Sequence, residues 1–431
     1  MRRITPGLRG IPSSGSQSTI PVSVAPGAES PHGFTPGPLR RDQVHYLVFE
    51  GGGGKGFAYL GALQALEQLK ILQYGEHTKT KKPTLVGPIK GIGGASAGAI
   101  TALLVSIGYT STELESFMTT TPFDQFFDPA DPRKRPIVGG CLPVSNTEEE
   151  EKIRQILQKV EAVIMATLTI RESFRFPPLR SLPGLREPIL PKILELLSKA
   201  NTPPFSTLIK DRFSIGAYLW NDMGIFSGCY ARDVFDKVLG ERMGLNRPAP
   251  YNVTFKEHYK YFGIKLAVSG TNLETGKTEI FTVPRYDEFY VADAIRISMG
   301  IPFIYKPYVI HAEGDLVQQH WTGTWVDGGV WNNLPFKEFE NERGENPKTL
   351  ALRLELEKNF KINNFRDFLR RWFNFAIFGS GESQITEANV SQTILLDTTG
   401  LELVNFSPPK DIRDKIISKA RQDTMKYFRA S

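Results

Sequence analysis

His45-Tyr46-Leu47-Val48-Phe49-Glu50-Gly51-Gly52-Gly53-Gly54-Lys55-Gly56 is the stretch from which the fold can be read. A β-branched and aromatic run bounded by glycines reads as a buried strand. Beyond the four glycines, Phe57, Leu60, Leu63, Ala65, Leu66 and Leu69 share one helical face, which predicts a helix from about Lys55 to Leu72. The same order recurs downstream: a strand ends near Ile92 and Gly93, and an apolar helix runs from Ala97 to about Ile107. Strand, turn and helix repeated in this way predict an α/β fold with a mostly parallel central sheet.

Outward from this unit the pattern changes. Residues 1–41 are rich in Pro, Gly and Ser and lack apolar periodicity, so they read as a disordered leader. The stretch 120–225 interrupts the strand–helix rhythm and reads as a helical insertion lying over the sheet. Its first helix opens at Thr147-Glu148-Glu149-Glu150-Glu151, where acidic residues suit the positive end of the helix dipole. A lid and a plain scaffold are equally open readings of the insertion. Strands are predicted at Tyr261–Val268, Thr278–Val283, Gly323–Val326, Leu350–Leu356 and Thr393–Asp397. Helices are predicted near Phe365–Phe378 and from about Lys410 to Phe428. The resulting division is a leader (1–41), one large domain containing the insertion (42–405) and a C-terminal helix packed on it (406–431).

Composition narrows the function classes. The chain has 431 residues, 40% hydrophobic and 23% charged, as ordinary globular proteins have. A net charge of +6 and a pI of about 9.0 favour an anionic membrane surface but do not indicate nucleic acid. Only Cys141 and Cys229 are present, which make neither a disulfide framework nor a zinc site and fit a reducing compartment. No apolar stretch approaches the roughly 18–20 residues of a membrane span. The N-terminus has two arginines and no apolar core after them, unlike a secretory signal. These features point to a cytoplasmic protein that meets lipid from the surface.

Three short motifs carry chemistry. Gly51-Gly52-Gly53-Gly54-Lys55-Gly56 lies between a strand and a helix, where consecutive N–H groups can converge on an anion. By itself it fits an oxyanion hole, and through Gly51, Gly53 and Gly56 it also fits a dinucleotide fingerprint. It is not a Walker A loop, because Gly56 stands where Ser or Thr is needed. Gly94-Ala95-Ser96-Ala97-Gly98 follows a strand and opens a helix, the setting of a G-x-S-x-G nucleophile elbow with Ser96 exposed at the turn. Asp327-Gly328-Gly329 follows Trp325-Val326 and places a carboxylate at a strand end.

A serine nucleophile needs a base. The six histidines are His32, His45, His77, His258, His311 and His320, and none follows Asp327 as the Ser–acid–His order of α/β-hydrolases requires. A triad drawing on His258, His311 or His320 with an earlier acid stays open. Otherwise Asp327 is itself the base.

The ordered set G-G-G-x-[RK]-G, G-x-S-x-G and a distant D-G-[GA] resembles the patatin-like phospholipase family. Thr271-Asn272-Leu273-Glu274-Thr275-Gly276, Ser298-Met299-Gly300-Ile301-Pro302-Phe303 and Pro307 add to the likeness, which spans about 45–400. Lys55 stands where many members have Arg, and the insertion and leader also depart from the pattern. The resemblance implies a three-layer α/β/α fold and hydrolysis of acyl esters in phospholipids or other lipids by a Ser96–Asp327 dyad. It implies an oxyanion hole from the loop Gly51, Gly52, Gly53, Gly54, Lys55 and Gly56, with Gly94, Ala95, Ala97 and Gly98 shaping the elbow and Gly328 and Gly329 the Asp turn. No metal or cofactor is needed for that chemistry. The partners it implies are an acyl-lipid substrate, a peripheral membrane surface and, as in some relatives, a protein activator from the host. Delivery to a host cell or non-classical secretion stays open.

Two rivals come from other classes. A nucleotide-binding module needs an acidic residue about 20 residues past the glycines, and Glu76 stands there in a loop-like setting. An inactive lipid-binding scaffold is argued against by the intact Ser96 and Asp327. Phe117, Phe123, Phe126 and Phe127, with Arg370-Arg371-Trp372-Phe373, form either an interfacial surface or core, and core is the expected reading.

Overall fold

The computed structural model describes residues 38–127, 134–143, 222–312, 318–341, 346–355, 387–401 and 405–429, with residues 362, 371 and 375. The predicted helices at Thr147 and Phe365–Phe378, most of the insertion and all but residues 38–41 of the leader lie outside these.

The central sheet is built from β1 (Tyr46–Phe49), β4 (Gly91–Gly94), β8 (Lys265–Asn272), β9 (Lys277–Phe281), β11 (Tyr308–Ile310), β12 (Gly323–Asp327), β13 (Thr349–Leu354) and β14 (Thr393–Leu396), in the order β11-β12-β8-β4-β1-β13-β14, with β9 on β8. Strands β8, β4, β1, β13 and β14 run parallel, and β12, β11 and β9 pair antiparallel. The sheet is mixed and mostly parallel, as expected. Two short hairpins and a bridge stand apart from it: β2 (Gln73–Glu76) with β3 (Pro83–Val86), β5 (Lys134–Ile137) with β6 (Gly140–Pro143), and β7 (Gly224–Phe226) with β10 (Phe303–Tyr305).

Side chains alternate across a strand, and the sheet buries both faces accordingly. Leu47, Phe49, Leu266, Val268, Leu350 and Leu352 join the large core with the helices. Val48, Ala267 and Ala351 join a smaller one with Leu334, Phe336 and Phe339. The result is a three-layer α/β/α arrangement, as expected.

The helices are α1 (Phe57–Gln68), α2 (Ala97–Ser106), α3 (Ser111–Thr120), α4 (Cys229–Met243), α5 (Phe255–Phe262), α6 (Val291–Ser298) and α7 (Lys410–Tyr427). Helix α1 begins two residues later than its apolar pattern suggests, because Gly53–Gly56 form a 3-10 turn first. It packs closely on α7: a Cβ on Gly61 would meet the Ile417 carbonyl oxygen at 2.0 Å. No helix of the described residues is long and apolar enough to cross a membrane.

One strand prediction needs correcting. Tyr261 and Phe262 end helix α5, and the strand begins at Lys265. Thr254 and Glu257 form a capping box, with the Thr254 hydroxyl accepting from the Glu257 amide at 3.1 Å and the Glu257 carboxylate accepting from the Thr254 amide at 3.0 Å. Gly263 then closes the helix in the left-handed region at φ +69°. The aromatic run therefore obeys its caps rather than its β propensity.

The cysteines bring a second correction. Cys141 in β6 and Cys229 at the start of α4 are joined by a disulfide across 88 positions, so their scarcity does not mean free thiols and the fit to a reducing compartment falls away. The same region carries two buried ion pairs. Arg232 of α4 meets Asp293 of α6 at 2.8 Å, and Asp293 also accepts the Gly139 amide at 2.7 Å. Lys306 meets Asp222 at 2.8 Å, and Arg135 pairs with the same carboxylate. The hairpin β5–β6 and the chain re-entering at Asp222 are thus held to α6 and β10.

Candidate active site

The carboxyl ends of β1 and β4 lie side by side, since Phe49 pairs with Gly94. The glycine loop leaves β1 there and the serine turn leaves β4. Their approach depends on missing side chains. A Cβ on Gly98 would stand 2.2 Å from the Phe49 carbonyl oxygen, and one on Gly51 would stand 2.2 Å from Asn333 Oδ1 and 3.1 Å from Ser96 Cβ. The Phe49 backbone cannot yield at that distance, so glycine is required at 98, whereas a side chain at 51 would first have to displace the Asn333 side chain.

Ser96 caps α2 with φ +50° and ψ −124°, a conformation that side-chain-bearing residues avoid and that surrounding structure must hold in place. The Ser96 amide donates to the buried Ser298 hydroxyl at 3.0 Å, and Ala95 donates to the Phe49 carbonyl at 3.3 Å. Sequence reasoning quoted Ser298 only as part of a similar stretch and assigned it no role. Nothing in the spacing of Ser96 and Ser298 reveals the contact, which the packing of α6 against the sheet creates.

Asp327 arrives from the other side. Strand β12 runs antiparallel to β8 and ends opposite Gly270, two residues beyond Val268, the partner of Gly94. Two residues beyond Gly94 is Ser96, so both side chains sit at one level of the sheet. The Asp327 amide donates to the Gly300 carbonyl at 3.0 Å, and its Oδ1 accepts the Gly329 amide at 2.7 Å. Oδ2 has no partner of good hydrogen-bond geometry. The Ser96 hydroxyl is nevertheless close enough to pull the carboxyl's pKa down, as the Gly329 amide does. The Ser96 hydroxyl is free to rotate, and loose contacts of this kind are usual before substrate binds. Burial is the dominant influence and raises the Asp327 pKa to about 7.

The glycine loop completes the cluster. Gly51 donates to the Asn333 carbonyl at 3.1 Å, and Lys55 donates to the Gly52 carbonyl at 3.1 Å. These two amides of the expected oxyanion loop are therefore already engaged. Among the described residues, the Gly52, Gly53 and Gly54 amides enter no turn or loop hydrogen bond. Asn333 also donates from Nδ2 to the Gly51 carbonyl at 3.0 Å, clasping the loop to the segment after Asp327. Gly328 is needed at its place, because a Cβ there would lie 2.0 Å from Ser269 Oγ. Gly56 is not, since a Cβ would meet Ala97 only at 3.5 Å.

An apolar cavity opens beside Ser96 and Gly53, walled by Ile100, Phe123, Phe126, Phe127, Ile304 and Tyr305 among others. Its empty space is about 490 Å³, counting the solvent at its mouth. Phe127 stacks on Tyr305 at 5.8 Å and Phe123 on Phe406 at 5.9 Å. As the expected core reading has it, Phe126 and Phe127 are buried and Phe117 and Phe123 are half-buried against the core, and Phe123, Phe126 and Phe127 wall this cavity. Of Arg370–Phe373, all but Arg371 lie outside the described residues.

No histidine shares the cluster among the described residues. His258 hydrogen-bonds Ser106 at 2.9 Å, at the far end of α2, about 15 Å along the helix from Ser96. His311 and His320 lie near the Gly323 end of β12, opposite to Asp327. Glu76 pairs with Lys81 on the separate β2–β3 hairpin, whereas the neighbours of β1 are β4 and β13. Neither a histidine triad nor a ribose-binding acid beside the glycine loop is built.

Residues 47–340 match the model of the patatin-like phospholipase family, and the chain belongs to that family. It is similar to probable lipid hydrolase 463L of Invertebrate iridescent virus 6, with 24% identity over 36% of this chain and 48% of that protein. It is also similar to uncharacterized protein R571 of Acanthamoeba polyphaga mimivirus, with 26% identity over 38% of this chain and 50% of that one. The chain spans about half the length of these curated relatives. VipD from Legionella pneumophila aligns in three dimensions with 16% identity and a TM-score of 0.46, over 90% of this chain and 67% of VipD.

Proposed function

We propose that the chain is a lipid acyl hydrolase of phospholipase A or lysophospholipase type, working through a Ser96–Asp327 dyad. The observation that carries this reading is the buried Asp327 carboxyl, close enough to the Ser96 hydroxyl for that hydroxyl to lower its pKa, with Ser96 beside a glycine loop and an apolar cavity.

In this reading Asp327 takes the Ser96 proton as Oγ attacks the ester carbonyl. The tetrahedral oxyanion forms against the amides of Gly52, Gly53 and Gly54. Collapse expels the alcohol, which receives the proton from Asp327 and leaves an acyl-serine. Water then attacks the acyl carbon and gives a proton to Asp327, and the proton returns to Ser96 as the acid departs. A base with a pKa of about 7 is half ionised near neutrality, where proton transfer in both directions is efficient. Each oxyanion donor is worth about 10²- to 10³-fold in kcat. The aromatic cavity suits an acyl chain, whose burial is worth about 0.8 kcal/mol per methylene. A protein activator and a peripheral membrane surface belong to the same proposal as partners of this site, and a cytoplasmic or host-delivered setting as its place of action.

The test is a fluorophosphonate probe on wild type and Ser96→Ala, with lipid products followed by mass spectrometry. Labelling confined to wild type, together with release of free fatty acid, is the expected result. Equal labelling of both proteins removes Ser96 from the mechanism.

A further inference from the structure

Among the described residues, Trp331 and Phe303 are the most exposed of the large apolar side chains, at 65% and 63%, and Met223 is exposed too, at 50%, though less so than Val390, Ile362 and Leu273. All three flank the site. Phe303 sits within the segment whose Ile301, Ile304 and Tyr305 face the cavity and whose Gly300 carbonyl holds the Asp327 amide. Trp331 lies between Asp327 and Asn333, on the stretch that joins the Asp turn to the glycine loop. Met223 immediately precedes Gly224, the register partner of Phe303.

The backbone adds an independent observation. Phe303 has φ +68° and Met223 φ +55°, a region that bulky residues rarely occupy and that surrounding structure has to hold in place. Two neighbouring residues thus hold apolar side chains in water at a conformational cost, next to the segment whose Ile301 and Ile304 line an apolar cavity. Burial in a protein core does not explain this arrangement. An aromatic pair with an amphipathic indole matches the boundary between headgroups and acyl chains, where Trp and Phe are favoured.

We propose that Phe303, Trp331 and Met223 form an apolar rim that inserts into a lipid interface and places the cavity mouth against it. This rests on the acyl-hydrolase reading for its choice of partner, because the rim is continuous with a cavity suited to an acyl chain. The occupant is a lipid bilayer; none of the three residues carries charge, so their own insertion is read on a zwitterionic bilayer such as phosphatidylcholine, where the chain's net charge of +6 has no anionic surface to meet, and another protein seated on the rim is the competing outcome.

The experiment is co-sedimentation of the full chain with phosphatidylcholine vesicles, in a Ser96→Ala background so that the lipid is not consumed. Phe303→Asn and Trp331→Ser are compared singly and together. Asn tolerates the left-handed backbone, so the melting temperature is expected to hold and serves as the check on folding. The parent is expected to bind and the double variant to lose at least about tenfold in partitioning. Failure of the parent to bind, or undiminished binding by the folded double variant, overturns the proposal. The hydrolase reading is judged separately, from turnover of a short-chain soluble ester by the Ser96-intact chain. Turnover that is absent, or that survives Ser96→Ala, rejects that reading while the sedimentation result stands on its own.

Discussion

The Ser298 hydroxyl accepts the Ser96 amide at 3.0 Å, and two residues later the Gly300 carbonyl accepts the Asp327 amide at 3.0 Å. One short segment at the end of α6 therefore holds the backbone of both proposed catalytic residues. Ser298 touches no reacting atom and is a positioning residue. Ser298→Ala leaves a buried amide without its acceptor, a loss of about 1–3 kcal/mol. We expect kcat and the rate of fluorophosphonate labelling to fall about 10- to 100-fold with KM nearly unchanged, since the elbow is displaced while the cavity is not. Steady-state kinetics on a soluble ester read the split. A change confined to the melting temperature would make Ser298 merely structural.

Activity should follow the ionisation of Asp327. Its carboxyl is raised to about 7 by burial, so kcat/KM should climb with pH up to about 7 and then level. Stability should move in the opposite sense. A carboxyl whose folded pKa lies above its unfolded value stabilises the fold below the unfolded pKa, and that contribution is lost as pH rises to about 7. Asp327→Asn keeps an acceptor for the Gly329 amide and removes the buried charge. It should be inactive yet melt higher than wild type at pH 8, with little difference at pH 4, by calorimetry. The full shift corresponds to at most about 4 kcal/mol.

Gly51→Ala tests the loop by steric means. The new methyl would meet Asn333 Oδ1 at 2.2 Å and Ser96 Cβ at 3.1 Å, so either the Asn333 clasp on the loop or the loop itself has to shift beside Ser96. Labelling should drop at least about 100-fold, the scale of losing one oxyanion donor. Gly56→Ala meets only ordinary contact at 3.5 Å and should retain most activity, the reverse of what a dinucleotide fingerprint requires.

His258 sets an acid limit. It is fully buried beside Ser106, and burial depresses its pKa to about 3. The unfolded chain takes up a proton near pH 6.5 while the folded one does not, so stability falls as pH drops from about 6.5 toward 3. His258→Gln should flatten this part of the melting-temperature profile. An unchanged slope would place the acid sensitivity elsewhere.

Much of this site was legible because its chemistry is local. Gly51–Gly56, Gly94–Gly98 and Asp327–Gly329 each combine a strand end with residues that only a special turn explains, and the fold brings all three to one edge of the sheet. Ser298, Asn333 and the pair Phe303 and Met223 act through contacts across the fold and leave no mark in spacing. The Phe123–Phe127 run was legible as apolar, but only packing shows that it walls a cavity instead of facing lipid. Tyr261 and Phe262 looked like strand because their aromatic character was weighed ahead of the capping box at Thr254 and Glu257.

The bond between Cys141 and Cys229 brackets the whole stretch from 144 to 221. A protease cutting anywhere between those cysteines would yield two fragments that migrate as one species until a reducing agent is added. Hydrolysis measured before and after such a nick, with the thiols still joined, would separate the need for an unbroken chain there from the need for its two anchored ends.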